Sequence, residues 1–440
     1  MKKASQNNSP NKPNKEKSKI FVWTLFDFAN TSYSIVIVTF LFAVYFKDTI
    51  CSGKSVGDLY WSFGVSISMI ITALISPILG AIADHSAGKK RFLLFFTLLC
   101  IISCAALYFT GEGTILLALI LFVLANIGFE AGLVFYDSYL PELTSPKNYG
   151  RVSGYGFAMG YAGALITLAI AFPFIQVGMI KITFPISALF FFVFAIPLFV
   201  VLGDTRKSIS ISEPYFKVGF KRVVYTFTHL KQYKNLSWFL LAFFFYIEGV
   251  NTVIFFSGNY AKSTLNFTFQ ELALFFVIVQ TTAILGATGF GIMADAIGQK
   301  RTIIISLLIW IGTMILAYAT SNKDYVLIKY FSDLIHSELA DAQRYSFYIV
   351  GLLAGSVMGA TQSTSRSLMS KLTPPDKKTE FFGFYSFFGK SSAIIGPLVF
   401  GYVSFLTDSQ PTAILSISLF FVIGLTILMK VKDPKIVNIN

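Results

Sequence analysis

The sequence predicts an all-α membrane protein of twelve transmembrane helices arranged as two pseudo-symmetric six-helix halves. Three observations carry that prediction. The 440 residues are 55% hydrophobic, 17% aromatic and only 13% charged, against roughly 25% charged residues in a soluble domain. Apolar runs recur along the chain, each near the roughly 20 residues that cross a bilayer. One short phrase is written twice, once in each half of the chain.

The runs lie near 20–46, 60–84, 92–110, 114–138, 150–172, 182–203, 237–261, 269–295, 302–320, 345–369, 381–406 and 411–430. Six precede the polar stretch 204–236 and six follow it. The expected division is a tail at 1–19, a first half at 20–203, a central loop at 204–236, a second half at 237–430 and a short tail at 431–440. Up to Lys19 the residues are mostly Asn, Lys, Ser and Pro, the composition of a disordered segment. The first apolar run is too long for a cleavable signal and lacks a small-residue cleavage site. In the central loop, Tyr215–Tyr233 mixes Phe216, Phe220, Val224 and Phe227 with Lys217, Lys221, Arg222 and Lys231. That pattern predicts a basic helix lying along the inner membrane surface. The long segment 321–344 reads as a solvated hairpin between two spans.

The net charge is +13, and its distribution follows topology. With an inside amino terminus, 27 of the 35 Lys and Arg fall in inner segments and 7 in outer ones, while Lys390 lies within a span. This asymmetry is the positive-inside rule and predicts cytosolic termini; it argues against a nucleic-acid partner. Three Cys and three dispersed His (His85, His229, His336) offer neither a disulfide framework nor a metal site. No cofactor is expected. No Gly-Lys-Ser/Thr phosphate loop is present, which argues against coupling to ATP hydrolysis within the chain, and no nucleophile–base pair suggests an enzyme.

The duplicated phrase is Gly80-Ala-Ile-Ala-Asp84 followed by Gly88-Lys89-Lys90-Arg91, and Gly291-Ile-Met-Ala-Asp295 followed by Gly298-Gln299-Lys300-Arg301. Two further stretches repeat. Asp27-Phe-Ala-Asn30-Thr31 matches Glu248-Gly-Val-Asn251-Thr252 at an offset of 221, and Ser138 through Gly160 matches Ser367 through Gly389 at 229. Internal repeats of this kind are how carriers with a central site are built. Within the last repeat the charges reverse: Asp137 corresponds to Arg366, Glu142 to Lys371, and Arg151 to Glu380. Opposite charges on facing halves predict pairs that close the inner side and break when it opens. The small residues Gly80 and Gly291 permit close helix packing. Asp84 and Asp295, at helix ends, can cap a helix start or hold a basic side chain. The gating set is therefore Gly80, Asp84, Gly88, Lys89, Arg91, Asp137, Glu142, Gly291, Asp295, Gly298, Arg301 and Arg366.

Ionisable groups within apolar spans are costly and mark function by default. They are Asp27, Glu130, Glu248 and Lys390. Asp27 with Asn30, and Glu248 with Asn251, each share a helix face at i, i+3. These six residues form the expected substrate-binding or proton-coupling set: one ammonium and several carboxylates suit a zwitterion, and a spare acid suits a proton.

The Gly80–Arg91 phrase resembles the loop motif of the major facilitator superfamily. Several further stretches are similar to the branch that contains the fungal vacuolar amino-acid effluxer of autophagy. These are Asp27-Phe-Ala-Asn30, Phe135-Tyr136-Asp137 through Leu140-Pro141-Glu142, Ser365-Arg366-Ser367, Gly383-Phe-Tyr through Gly389-Lys390, and Gly396-Pro397. The resemblance implies the major facilitator fold, alternating access and amino-acid efflux. It also implies a multi-pass protein of the plasma membrane in a prokaryote or of the vacuolar membrane in a fungus. The fifth span lacks the Gly-Pro pair typical of drug/proton antiporters, which argues against drug export. The expected function is secondary active or facilitative transport of a neutral amino acid or similar zwitterion. Its partners are a small-molecule substrate, the lipid bilayer and, where coupled, protons. Export of sugars, drugs or other metabolites and lipid flipping remain the alternatives on the same fold.

Overall fold

The structure, a computed structural model, describes residues 12–54, 56–86, 88–204, 215–392 and 395–432. The chain enters through α1 (Lys12–Tyr33), which continues through π-helical turns on either side of α2 (Leu41–Tyr45) as far as Ile50. There follow α3 (Val56–Ser86), α4 (Lys89–Ala106), α5 (Ile115–Asp137), the single turn α6 (Leu140–Leu143), α7 (Tyr149–Gln176) and α8 (Thr183–Val201). After α9 (Tyr215–Thr228) the pattern repeats with α10 (Lys234–Leu265), α11 (Phe269–Ile297), α12 (Gln299–Ala319), α13 (Val326–Ile335) and α14 (Leu339–Leu372). The chain closes with α15 (Lys378–Ser392), α16 (Ile395–Thr407) and α17 (Gln410–Leu428).

Among the described residues, eleven helical stretches are long and apolar enough to cross a membrane. The twelfth crossing is α14, whose 34 residues carry too many polar groups to register by composition. Its polarity is tolerated because protein surrounds it: from Val357 to Ser370 every residue except Gln362 is buried. Polar membrane helices persist only where they face partners or a cavity.

The halves meet along two seams, α3 against α15 and α7 against α11 and α14. The turns rich in Lys and Arg gather at one end of the bundle, called the basic end below.

Several sequence expectations change. The stretch 1–19 is not a uniformly disordered tail, since Lys12–Lys19 is helical and Thr144 donates to Glu16 at 2.8 Å; residues 1–11 lie outside the described residues, as do 433–440 of the terminal tail. The eleventh span is described as α15 and α16, with residues 393–394 between them outside the described residues. The segment 321–344 is not a simple hairpin but holds α13, anchored by buried Ile328 and Ser332. Finally, α9 does not merely lie on the membrane. It docks Gly219, Arg222, Val223 and Thr226 toward the protein and exposes Lys217, Phe220, Lys221 and Val224. An amphipathic pattern shows that a helix has two faces, but not whether the covered one meets lipid or protein.

Candidate functional site

The duplicated phrases come together with the partner half at the basic end. Asp84, near the end of α3, accepts the backbone N–H of Glu380 at 2.8 Å in the first turn of α15. Asp295, near the end of α11, accepts the N–H groups of Gly150 (2.7 Å) and Arg151 (3.0 Å) in the first turn of α7, and the Arg151 Nε at 2.9 Å. Each aspartate thus caps a helix of the opposite half, where unsatisfied N–H groups and the positive end of the helix dipole favour a carboxylate. The glycines explain the approach. A Cβ on Gly80 would collide with the carbonyl oxygen of Thr379, and one on Gly291 with that of Gly150. Thr379 and Gly150 are repeat equivalents, so the same contact is made twice.

Arg366 bolts α14 to the first half. From α14 it reaches into the first half, between α1, α5 and α7, and is 2% exposed. All five of its N–H donors find acceptors. Nε donates to Ser153 Oγ (3.0 Å), Nη1 to Asp137 (2.9 Å) and Asp27 (3.2 Å), and Nη2 to Asp27 (3.3 Å) and the Ser153 carbonyl (2.9 Å). The guanidinium also lies over Phe157 at 4.3 Å and Trp23 at 4.7 Å, where aromatic faces stabilise a cation. Trp23 and Tyr136 are locked together, each donating to the other's backbone carbonyl.

Of the three reversed charge positions, Asp137 and Arg366 pair with each other directly. Glu142 instead takes Lys89 of its own half at 2.8 Å, with Lys378 at 3.9 Å, while Lys371 donates to Gln299. Arg151 goes to Asp295 and Glu380 to Arg222. Of the corresponding positions, Asp137 and Arg366 therefore meet across the halves, whereas the other two pairs take different partners. Gly88 and Gly298 stand at the starts of α4 and α12, the latter with φ of +99°, which favours glycine. Arg91 and Arg301 are exposed, away from both seams.

The four ionisable groups within the spans do not form one cluster. Asp27 belongs to the Arg366 bolt. Glu130 of α5 and Lys390 of α15 form an ion pair across the halves. Glu248 of α10 is fully buried, accepting from Thr252 Oγ1 (3.2 Å) and from the backbone N–H of Gly396 in α16. Asn30 is buried beside Asp27, and Asn251 is half-buried beside Glu248. Helical spacing placed each acid and amide on one face, but could not say which neighbouring helix that face meets. A polar cavity of about 560 Å³, lined by Tyr318, Lys323, Gln343 and Arg344 among others, holds none of these residues.

Sequence reasoning missed Ser153, Trp23, Arg222 and Thr226. Backbone and hydroxyl partners of a buried arginine leave no charge signal, and Arg222 read as one basic residue among many.

Comparison with known proteins agrees with this architecture. A family profile described as "Vacuole effluxer Atg22 like" matches residues 59–436. An uncharacterized MFS-type transporter, YxiO, of Bacillus subtilis is 32% identical over 434 residues, covering 95% of this chain and 96% of the relative. Autophagy-related protein 22-1 of Penicillium rubens is 23% identical, covering 77% and 69%. Among solved structures, the proton:xylose symporter XylE superposes with a TM-score of 0.72 at 14% identity, covering 96% and 97%. A bacterial homologue of the iron transporter ferroportin, in an outward-facing state, gives 0.66 at 15%, covering 94% and 98%. The chain therefore belongs to the vacuole effluxer Atg22-like family and is a transporter of the major facilitator superfamily.

Proposed function

We propose that the protein carries neutral amino acids or similar small zwitterions by alternating access, with both termini in the cytosol. The Lys390–Glu130 pair is the observation that carries this reading. It joins the two halves within the membrane-spanning helices, and Lys390 keeps 24% of its side chain exposed while Glu130 is buried. Such a pair must separate when the halves part, and each ion would then lack a partner in a medium of low dielectric. A zwitterion can replace both ions at once, its carboxylate taking Lys390 and its ammonium taking Glu130. A sugar offers no such exchange. The closed basic end, with its capped helices and the Arg366 bolt, supports the alternating-access part of the reading.

Glu248 supplies the second part. Its carboxylate is fully buried against the backbone N–H of Gly396 and the Thr252 hydroxyl, where gain or loss of a proton changes the contact between α10 and α16. The experiment is leucine counterflow in proteoliposomes, run beside a sugar and a dipeptide and with a pH gradient imposed. Leucine is expected to exchange and to respond to the gradient. Glu248→Gln is expected to keep exchange while losing the gradient response. Exchange of the sugar in place of leucine would refute the zwitterion assignment, and an unchanged gradient response in Glu248→Gln would refute the proton role.

A further inference from the structure

The two capping sites at the basic end have the same geometry but opposite charge logic. At one, Asp295 holds the first turn of α7, and the residue it grips, Arg151, brings its own cation at 2.9 Å. At the other, Asp84 holds the first turn of α15, and the equivalent residue is Glu380. Two carboxylates from opposite halves thus share one helix start, and Glu380 is fully buried. Like charges so placed oppose closure unless a cation intervenes.

One such cation comes from the central loop. On α9, Arg222 sets its Nε 3.5 Å from the Glu380 carboxylate, and the fully buried Thr226 donates its hydroxyl to the other oxygen of that carboxylate. Lys377 reinforces the group, donating to Thr226 Oγ1 at 3.1 Å and lying 3.9 Å from Glu380. The docking is close. Gly219 packs against α3 so tightly that a Cβ would meet Ile82 at 2.6 Å and the Ile78 carbonyl at 3.0 Å. Arg222 and Thr226 occupy the same helical face as Gly219, at i+3 and i+7, so the face that meets the protein is the one that reaches Glu380.

We propose that Arg222 is a positioning residue of the transport cycle: through α9 it supplies the cation that position 380 lacks, and so completes the closed seam between α3 and α15. One gate is then self-contained, while the other is completed by the docked central loop. The inference rests on the halves parting at this seam during transport.

Ser386 reports on the seam, since its Oγ lies 3.5 Å from that of Ser76 in the other half. In proteoliposomes, the maleimide labelling rate of Ser386→Cys from the basic end is measured on a background with Cys51, Cys100 and Cys104 replaced. Arg222→Gln is expected to raise the rate about fivefold, the scale of a partly exposed ion pair, and Thr226→Val by about threefold. Arg222→Lys is expected to stay near the parent. Adding Glu380→Arg to Arg222→Gln is expected to restore the parent rate, because the new guanidinium meets Asp84 as Arg151 meets Asp295; a merely structural role for Arg222 would give no such rescue. Asp84→Ala, which removes the cap on α15, serves as the control that opens the seam. If Asp84→Ala speeds labelling while Arg222→Gln and Thr226→Val leave it unchanged, or if Glu380→Arg fails to rescue, the role of Arg222 is overturned. If Asp84→Ala also leaves it unchanged, the seam itself is not a moving gate.

Discussion

Replacing Arg366 by glutamine should part the two halves at the basic end. The guanidinium is the shared partner of Asp27 and Asp137 and is itself buried. Removing it leaves two carboxylates close together without their common cation. Losing one partner of a buried ion pair costs about 3–5 kcal/mol, which here falls on the closed state, because the pair spans the halves. Labelling at Ser386→Cys should accelerate by about two to three and a half orders of magnitude, since each 1.4 kcal/mol is tenfold. Arg366→Lys should not rescue: an ammonium has three donors against the five the site uses, and no planar face to lie over Trp23 and Phe157. Asp27→Asn with Asp137→Asn should recover most of the closure in the Arg366→Gln background, because the uncompensated charge is gone. Unchanged labelling in a well-folded Arg366→Gln protein would show that the bolt does not hold the halves together.

Lys390→Ala has the second large effect, on binding. If Lys390 takes the substrate carboxylate, its loss removes a charge-assisted bond of about 1.5–3 kcal/mol, so leucine affinity should fall at least about tenfold. It also strands Glu130 within the membrane, so stability should fall as well. The double variant Glu130→Gln, Lys390→Met separates the two effects. It leaves no uncompensated charge and should recover stability while remaining unable to bind. Leucine titration of both proteins decides the matter. Wild-type affinity in Lys390→Ala would end the zwitterion reading and favour a neutral solute.

How much of this was legible in the sequence depended on the kind of partner each residue finds. Twelve apolar runs and the duplicated Gly–Asp phrase gave the fold, because the repeat forces the same packing twice. Arg366 was marked by sitting opposite in sign to Asp137 at equivalent positions. That it also takes Asp27, 339 residues away, was not visible, since helical spacing gives a face and never the helix that covers it. The role of Asp84 and Asp295 was half visible: a carboxylate at a helix end suggests a cap, but the N–H groups it takes carry no residue identity. The length and position of α14 were legible, while its polarity makes sense only once α7, α11 and α12 enclose it. The docking of α9 was hidden because Gly219, Arg222 and Thr226 make an unremarkable stripe beside the conspicuous Phe220 and Val224.

The most direct test of a gate that opens and closes at the basic end is a reversible lock across it. Ser76 and Ser386 lie on opposite halves with their hydroxyl oxygens 3.5 Å apart, close enough for a disulfide between cysteines at the same positions. With the three native cysteines replaced, Ser76→Cys/Ser386→Cys is reconstituted, oxidised, and assayed for leucine exchange before and after reduction. The expected result is rapid cross-linking with exchange arrested, and full recovery on reduction. Complete cross-linking with exchange undiminished would contradict a transport cycle in which these two halves separate.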